Sequence, residues 1–512
     1  MPTDILFSTN PTVWTEVEGL YVNNQKQEGG ITGANVSIPG LFDQTLRGPV
    51  TPQIVASPQD FTALYGGRDA GGGGAIVNNV WKGMLNRKFP FPLVVCRVLA
   101  DDAVAASANA SNAVPTAIIK IEASNAGVWA NGATGYGITY AITDATDGVA
   151  NHFNLVIKYL GQNTTYKNLN TYGSGDDNTT TVIGSSIYNL IKVTKLAAGR
   201  PINTVSDVSL ASGSEGTLAV GDYEAAFDKI AAHPLVRIVP VACDQVIDAG
   251  NHGTMNAYVA GKTSEFPLTT FLTWSGANAT RADEISAKAS QLSTPVEGLV
   301  WCYNASSTLD ATGTLIQTGP HLDMAICLSN KDVAVHPGAE ENIELLSHIK
   351  SVYNDGLTRA DLALLRAAGI CTLEHVESGF QFKSAVCSNS VGAIGDDTAV
   401  ELVDVRRRAW IIESFAKSIR HNVKKAATDT NRRSIIAKMT DFASADQKAE
   451  HVVASDDDVL GPGYRFAFVE TPQERARNIG KLMTKIRMIA YMLTIIMYTD
   501  IGTGVVNVKV EK

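Results

Sequence analysis

Hydrophobic and polar positions follow three different rhythms along this chain. From Asp404 to about Lys425 the rhythm is helical. Val405, Ile412, Phe415, Ile419 and Val423 share one face at spacings of three, four and seven, and Arg406, Glu413, Lys417, Arg420 and Lys424 share another. The tail TGVVNVKVEK has period two: Val506, Val508 and Val510 alternate with Asn507, Lys509 and Glu511, which predicts a strand with one buried face and nothing after it to cover its edge. Between them, the runs LVRIVPVAC, GLVWCYN and MAICLSN have no period, and they are interleaved with the helix-like DYEAAFDKIAAH and with a helix from Ala279 to Leu292. Helices alternating with continuous apolar strands predict a largely parallel sheet covered on both faces.

Local signals mark the ends of these elements. Ser57 and Pro58 open a short helix in SPQDFTALYG that Gly66 follows, and Thr358 and Gly369 bracket another in LTRADLALLRAAGI. Residues 13–22 form an extended segment with Trp14, Val17, Leu20 and Tyr21, running into the polar NNQKQEGG. Residues 101–200 turn to Asn, Thr, Ser and Gly around short β-branched runs (AIIKIEA, YGITYAI, FNLVIKYL), which predicts an all-β insert. At ~150 residues per domain, 512 residues imply three or four domains. The expected division is an arm (1–25), a small α/β unit (26–100), the β insert (101–200), an α/β region (201–388), a part carrying the basic helix (389–502) and a terminal strand (503–512).

Charge sharpens this picture. The chain has 42 Lys and Arg against 51 Asp and Glu, a net charge of −9, so as a whole it has no footprint for nucleic acid or anionic lipid. Yet between Arg406 and Lys438 ten cations face two acids, a local charge of +8 that leaves −17 for the remainder. A helix face held mainly by cations suggests an acidic partner surface. The six scattered cysteines lie mostly in apolar runs and are expected to be buried free thiols of a reducing compartment. The N-terminus has no secretory pattern, and the longest apolar run, Met488 to Tyr498, falls well short of the ~20 residues a membrane-spanning helix needs.

Motifs for chemistry are weak. Gly261-Lys262-Thr263 lacks the phosphate-loop glycine five positions earlier, where Asn256 stands, and Gly71 to Gly74 lacks the dinucleotide spacing. There is no HExxH, no short Cys/His cluster and no GxSxG elbow, although a Ser/His/Asp triad from distant segments stays open. Asp456 to Asp458 reads as a solvated loop. No cofactor, metal or catalytic residue is expected.

Several stretches together carry a likeness. They are GLYVNNQ, the strand at Ala34 to Ile38, RGPVTPQIVASPQDFTALYG and PFPLVVCRV near the start. AGVWANG follows in the insert, with Ala130 where a Gly is usual. LASGSEG comes next, with Ser212 replacing a Gly, then GDYEAAFDKIAAHPLVRIVPV and LTRADLALLRAAGICTLEHVESGFQFKSAVCS. Together they resemble the tail sheath proteins of contractile-tailed bacteriophages and related contractile injection machines, from about residue 20 to 430 and again over the last strand; residues 431–490 match poorly.

The resemblance implies a multidomain α/β chain with an inner domain built from both termini. A central subtilisin-like domain without proteolytic function, an inserted β-sandwich-like domain and extended terminal strand arms complete it. It also implies stacked hexameric rings around a tail tube, in a virion tail assembled in the host cytoplasm, with tube, baseplate and tail terminator proteins as partners and no nucleic acid or membrane insertion. Arg406, Arg407, Lys417, Arg420, Lys424 and Lys425 are the tube-facing candidates. Trp14, Val17, Leu20, Tyr21, Val506, Val508 and Val510 are the inter-subunit strand candidates. A subtilisin-like or other α/β hydrolase, and a non-contractile tube or shell protein, are the alternatives.

Overall fold

Two of the three aperiodic apolar runs, LVRIVPVAC and GLVWCYN, become strands buried on both faces. A computed structural model describes residues 38–66, 92–132, 137–172, 178–241, 249–274, 280–309, 315–329, 335–354, 356–391, 400–419, 428–448, 464–468, 471, 482–486, 496–501 and 506–511. These fall into two compact units. One spans 37–331 and 337–391, and the other holds the described residues of 332–336 and 392–512.

The first unit begins with a small sheet of β1 (Gly40–Asp43), β2 (Gln53–Val55) and β3 (Leu93–Arg97), ordered β1-β3-β2, with β1 and β3 parallel. Between β2 and β3, α1 (Pro58–Tyr65) starts where Ser57 Oγ accepts the Asp60 amide at 3.1 Å, and it stops at Gly66, whose φ of 88° suits a residue without Cβ. A parallel bridge from Pro39 to Ile238 links β1 to the central sheet.

That sheet runs β11 (Ile238–Pro240), β12 (Thr270–Trp274), β13 (Leu299–Tyr303), β17 (Ile370–Val376), β18 (Gly379–Ser384), parallel until the final hairpin. Helices α3 (Val220–Ala231), α4 (Ala249–Lys262), α5 (Arg281–Gln291) and α7 (Arg359–Ala367) connect it. Phe227, Phe271, Trp301, Met255 and Leu365 share one core with Phe42 and Val94 of the first sheet, so the two sheets are one body. On the other side of β12, Trp274 stacks on His321 of α6 (His321–Leu328). The run MAICL is thus a helix, buried all round and for that reason without a 3.6-residue period. Thr358 caps α7 as expected, the helix expected from Ala279 begins instead at Arg281 with Thr280 as its cap, and Gly369 after α7 has φ 68°. A three-stranded sheet, β14 (Ser306–Leu309) between β15 (Leu315–Thr318) and β16 (Ile349–Val352), lies between β13 and β17 in the chain.

The named strands of the insert pair antiparallel, with β4 (Ser107–Ser111), β5 (Ala117–Ala123) and β9 (Ile191–Lys195) in one sheet. The other sheet holds β6 (Thr139–Asp144), β7 (Phe153–Tyr159), β8 (Gln162–Leu169) and β10 (Val208–Ser209). A one-turn helix α2 (Thr179–Ile183) precedes β9. Alternate residues of both sheets, among them Ile119, Ile121, Tyr140, Ile142, Leu155 and Ile157, meet in one core that also holds Trp129.

The second unit contains α8 (Leu402–Ile419), α9 (Asp429–Lys448), the hairpin β19 (Tyr464–Phe468) and β20 (Leu482–Ile486), and the hairpin β21 (Ile496–Ile501) and β22 (Val506–Glu511). Ile411 and Phe415 of α8 pack on Met439 and Phe442 of α9, with Phe466 of β19 edge-on to Phe415.

Candidate functional site

The basic helix is present, but its faces differ from the expected ones. Its first two turns are buried almost all round: Arg406 is 4% exposed and Arg407 3%, while Ile412, expected on the packed face, is 48% exposed. Burial pushes the Arg406 guanidinium down to about 10 and raises the Asp404 carboxyl, which Arg407 and His336 partly offset. His336 Nε2 lies 3.8 Å from Glu401 Oε2 in the same neighbourhood. Arg406 and Arg407 are therefore withdrawn as partner-facing residues, because each is packed inside its own chain. Lys417 is exposed as expected, and Arg420, Lys424 and Lys425 lie outside the described residues. The sequence reading missed Arg408, which is exposed, and Arg433 of α9, which begins an exposed i, i+4 stripe continued by Ala437, Asp441 and Ala445. Only the three-dimensional packing distinguishes Arg408 from its neighbours, since all three arginines are adjacent in sequence.

The tail strand forms where alternation predicts it. Its edge is not left wholly open, however: β22 pairs antiparallel with β21 of its own chain, Val506 opposite Ile501, Val508 opposite Thr499 and Val510 opposite Met497. The expectation of an uncovered strand is corrected on that one edge. Among the described residues this sheet has two strands, and no third described strand pairs with the outer edge of either. The β19–β20 sheet also has two strands. Trp14, Val17, Leu20 and Tyr21 lie outside the described residues, as do Gly71 to Gly74 and Asp456 to Asp458.

Two polar clusters of the body bear on the open triad and on the phosphate-loop motif. Ser306 Oγ donates to Asp323 Oδ2 at 2.5 Å, and His348 Nε2 lies 2.9 Å from Asp323 Oδ1. The carboxylate sits between hydroxyl and imidazole, whereas a nucleophilic serine needs the imidazole in the middle to take its proton. Lys262 ends α4 and is paired with Asp228 and Glu265, so Gly261-Lys262-Thr263 sits at a helix C-terminus, the wrong end for a phosphate. The five described cysteines are free and buried, and burial pushes the Cys96 thiol up to about 11 and that of Cys387 up to about 12, away from reactive thiolates. Among the described residues no three His, Cys, Asp or Glu side chains are placed to hold a metal, and no helix is long and apolar enough to cross a membrane.

This arrangement of a layered body, a β insert and a helix-and-hairpin unit is the fold of contractile sheath proteins. It is similar to the crystal structure of a sheath tail protein from Desulfitobacterium hafniense, with TM-score 0.55 and 13% identity over 91% of this chain and 100% of that one. A sheath tail protein from Listeria innocua has TM-score 0.58 and 10% identity over 90% and 96%. The helical sheath of the anti-feeding prophage in its contracted state has TM-score 0.54 and 10% identity over 95% and 99%. By sequence, neither a family model nor a curated protein matches. At these identities the likeness is one of fold.

Proposed function

We propose that this chain is the structural subunit of a contractile tail sheath, stacked as hexameric rings around a tail tube within a virion or virion-like particle. The observation that carries the reading is the extent of the likeness: more than nine-tenths of this chain follows the fold of two kinds of sheath, from single sheath tail proteins to an assembled contracted sheath. On this reading the central body is subtilisin-like without catalysis, the insert is a sandwich-like outer domain, and the second unit faces the tube. The order Ser306–Asp323–His348 supports a non-enzymatic role.

Mechanically, the chain would link to its neighbours through terminal strands. The outer edges of the β21–β22 hairpin suit strand addition, in which main-chain bonds supply affinity without a side-chain pocket. Lys417 and the cations of 420–425 would meet carboxylates of the tube, each pair worth only ~0–1 kcal/mol but repeated along the array. Release of the first ring at the baseplate would break these contacts and let rings repack outward, with the strand links intact. The energy is stored at assembly, so no nucleotide enters.

Electron micrographs of the concentrated, purified chain test this. Wide hollow cylinders with a helical surface are expected. Thin tubes or icosahedral shells would favour a non-contractile shell protein, and particles that never polymerise at any concentration or salt would refute the reading.

A further inference from the structure

The insert joins the body at a junction where the two glycine-rich motifs AGVWANG and LASGSEG meet. Arg97, the last residue of β3, is completely buried, and its Nη2 lies 2.8 Å from Glu215 Oε2. Its Nη1 donates to the Ala126 carbonyl at 2.8 Å. The other carboxylate oxygen of Glu215 accepts the Val128 amide at 2.9 Å. One ion pair thus clasps three passes of the chain: the outgoing strand β3, the crossing segment 126–128 and the returning segment at Glu215.

The backbone reinforces the clasp. Val104 and Ser214 exchange both N–H···O bonds at 2.9 Å, and the Gly127 amide donates to the Val104 carbonyl at 3.1 Å. The Asn131 amide pairs reciprocally with Gly213, accepting at 2.8 Å and donating at 3.0 Å. Asp102 Oδ1 accepts the Thr217 amide at 3.0 Å. Little space is left. A Cβ on Gly127, whose φ is 126°, would stand 2.3 Å from Glu215 Oε1 and 2.9 Å from Arg97 Nη2, and one on Gly213 would stand 2.3 Å from the Gly127 carbonyl. Ser212, where the resemblance has Gly, sits at φ 64°, a left-handed conformation that glycine adopts without penalty.

Two further ties lie to the side. Arg47 lies over the rings of Trp129 and Tyr159 at 5.6 and 5.3 Å while donating to the Ala63 carbonyl near the end of α1 at 2.9 Å. Tyr188 of the insert donates to Asp60 of α1 at 2.7 Å. A hinge needs a few residues free to absorb changes in φ and ψ. Here the connecting residues are bridged, clasped and packed without room.

We propose that this junction is a rigid mount, in which the buried Arg97–Glu215 pair seated on Gly127 locks the β insert to the α/β body so that the two move as one piece. The inference goes beyond the sheath reading and stands on a single chain. If that reading also holds, an outer contact made by the insert is transmitted to the body without slack.

Single-molecule energy transfer on the full chain tests it, with dyes on bio-orthogonal residues at Val114, 75% exposed in the β4–β5 turn, and at Ser351, exposed on β16. Wild type is expected to give one narrow distribution, with the Val104, Gly127 and Ser214 amides exchanging as slowly as those of the central sheet. Glu215→Gln, and the charge-free pair Arg97→Met with Glu215→Met should the single variant fail to fold, are expected to broaden the distribution while exchange in β12 and β13 stays unchanged. A broad wild-type distribution, fast exchange at the junction, or a variant that loses only melting temperature while its distribution stays narrow would overturn the mount.

Discussion

Lys288 Nζ donates to the Ser388 carbonyl oxygen at 2.7 Å, bridging α5 to the segment after β18. It also donates to the carbonyls of Gly369, at 3.2 Å, and Ala368, where α7 ends and its last acceptors have no helical partner. Lys288→Met keeps the stem and removes the donor, stranding buried carbonyls. A stability loss of about 3 kcal/mol is expected in urea titration. A loss near zero would mean that water reaches these carbonyls.

His252 provides a pH dependence. It is 2% exposed, packed near the Trp301 ring and bonded to Gln291, Thr273 and Asn256. Burial lowers its pKa below the usual 6.5, against the opposing bond to Gln291. The folded chain therefore keeps the imidazole neutral while the unfolded chain takes up a proton. Its contribution is complete above pH 6.5 and falls away as the pH drops through that value toward the lower folded pKa. Urea midpoints of wild type should fall between pH 7.5 and 5.5 more steeply than those of His252→Asn; equal slopes would assign the pH dependence elsewhere.

Phe415 carries the packing of the second unit, with ring centroids 5.4 Å from Phe442 and 5.5 Å from Phe466. Phe415→Ala should destabilise that unit by ~3–5 kcal/mol. Hydrogen exchange should quicken in α8 and α9 and stay unchanged in the central sheet.

Neighbouring cations of α8 should separate by phenotype. Arg406→Glu places a charge of the wrong sign in a buried site and should lower the melting temperature at any salt concentration. Lys417→Glu should shift stability by less than ~0.5 kcal/mol. It should instead weaken assembly on an acidic partner, most of all at low ionic strength, where exposed charges are least screened. Equal melting temperatures for the two variants would contradict the burial of Arg406.

Features written locally were legible in the sequence. Ser57 and Thr358 announce their helices because an N-cap is a property of three or four adjacent residues, and the valines of 506–510 announce β22 by alternation. What escaped depends on distant partners. The pairing of β22 with β21 could not be read from alternation, which reports a buried face and not the identity of the neighbour. Periodicity marked α8 as amphipathic, yet nothing in the pattern distinguishes buried Arg406 from exposed Arg408. The motifs around Gly127 and Glu215 stood out as text, but only the fold brings them together over Arg97.

A helical reconstruction of the polymer by electron cryomicroscopy, traced through residues 13–22 and 506–511, reaches the central claim most directly. The expected map has a strand of a neighbouring subunit along an outer edge of a terminal hairpin, joining copies into a continuous net. A map in which both ends of every chain lie on their own molecule, with the β21–β22 edges facing solvent, would contradict it.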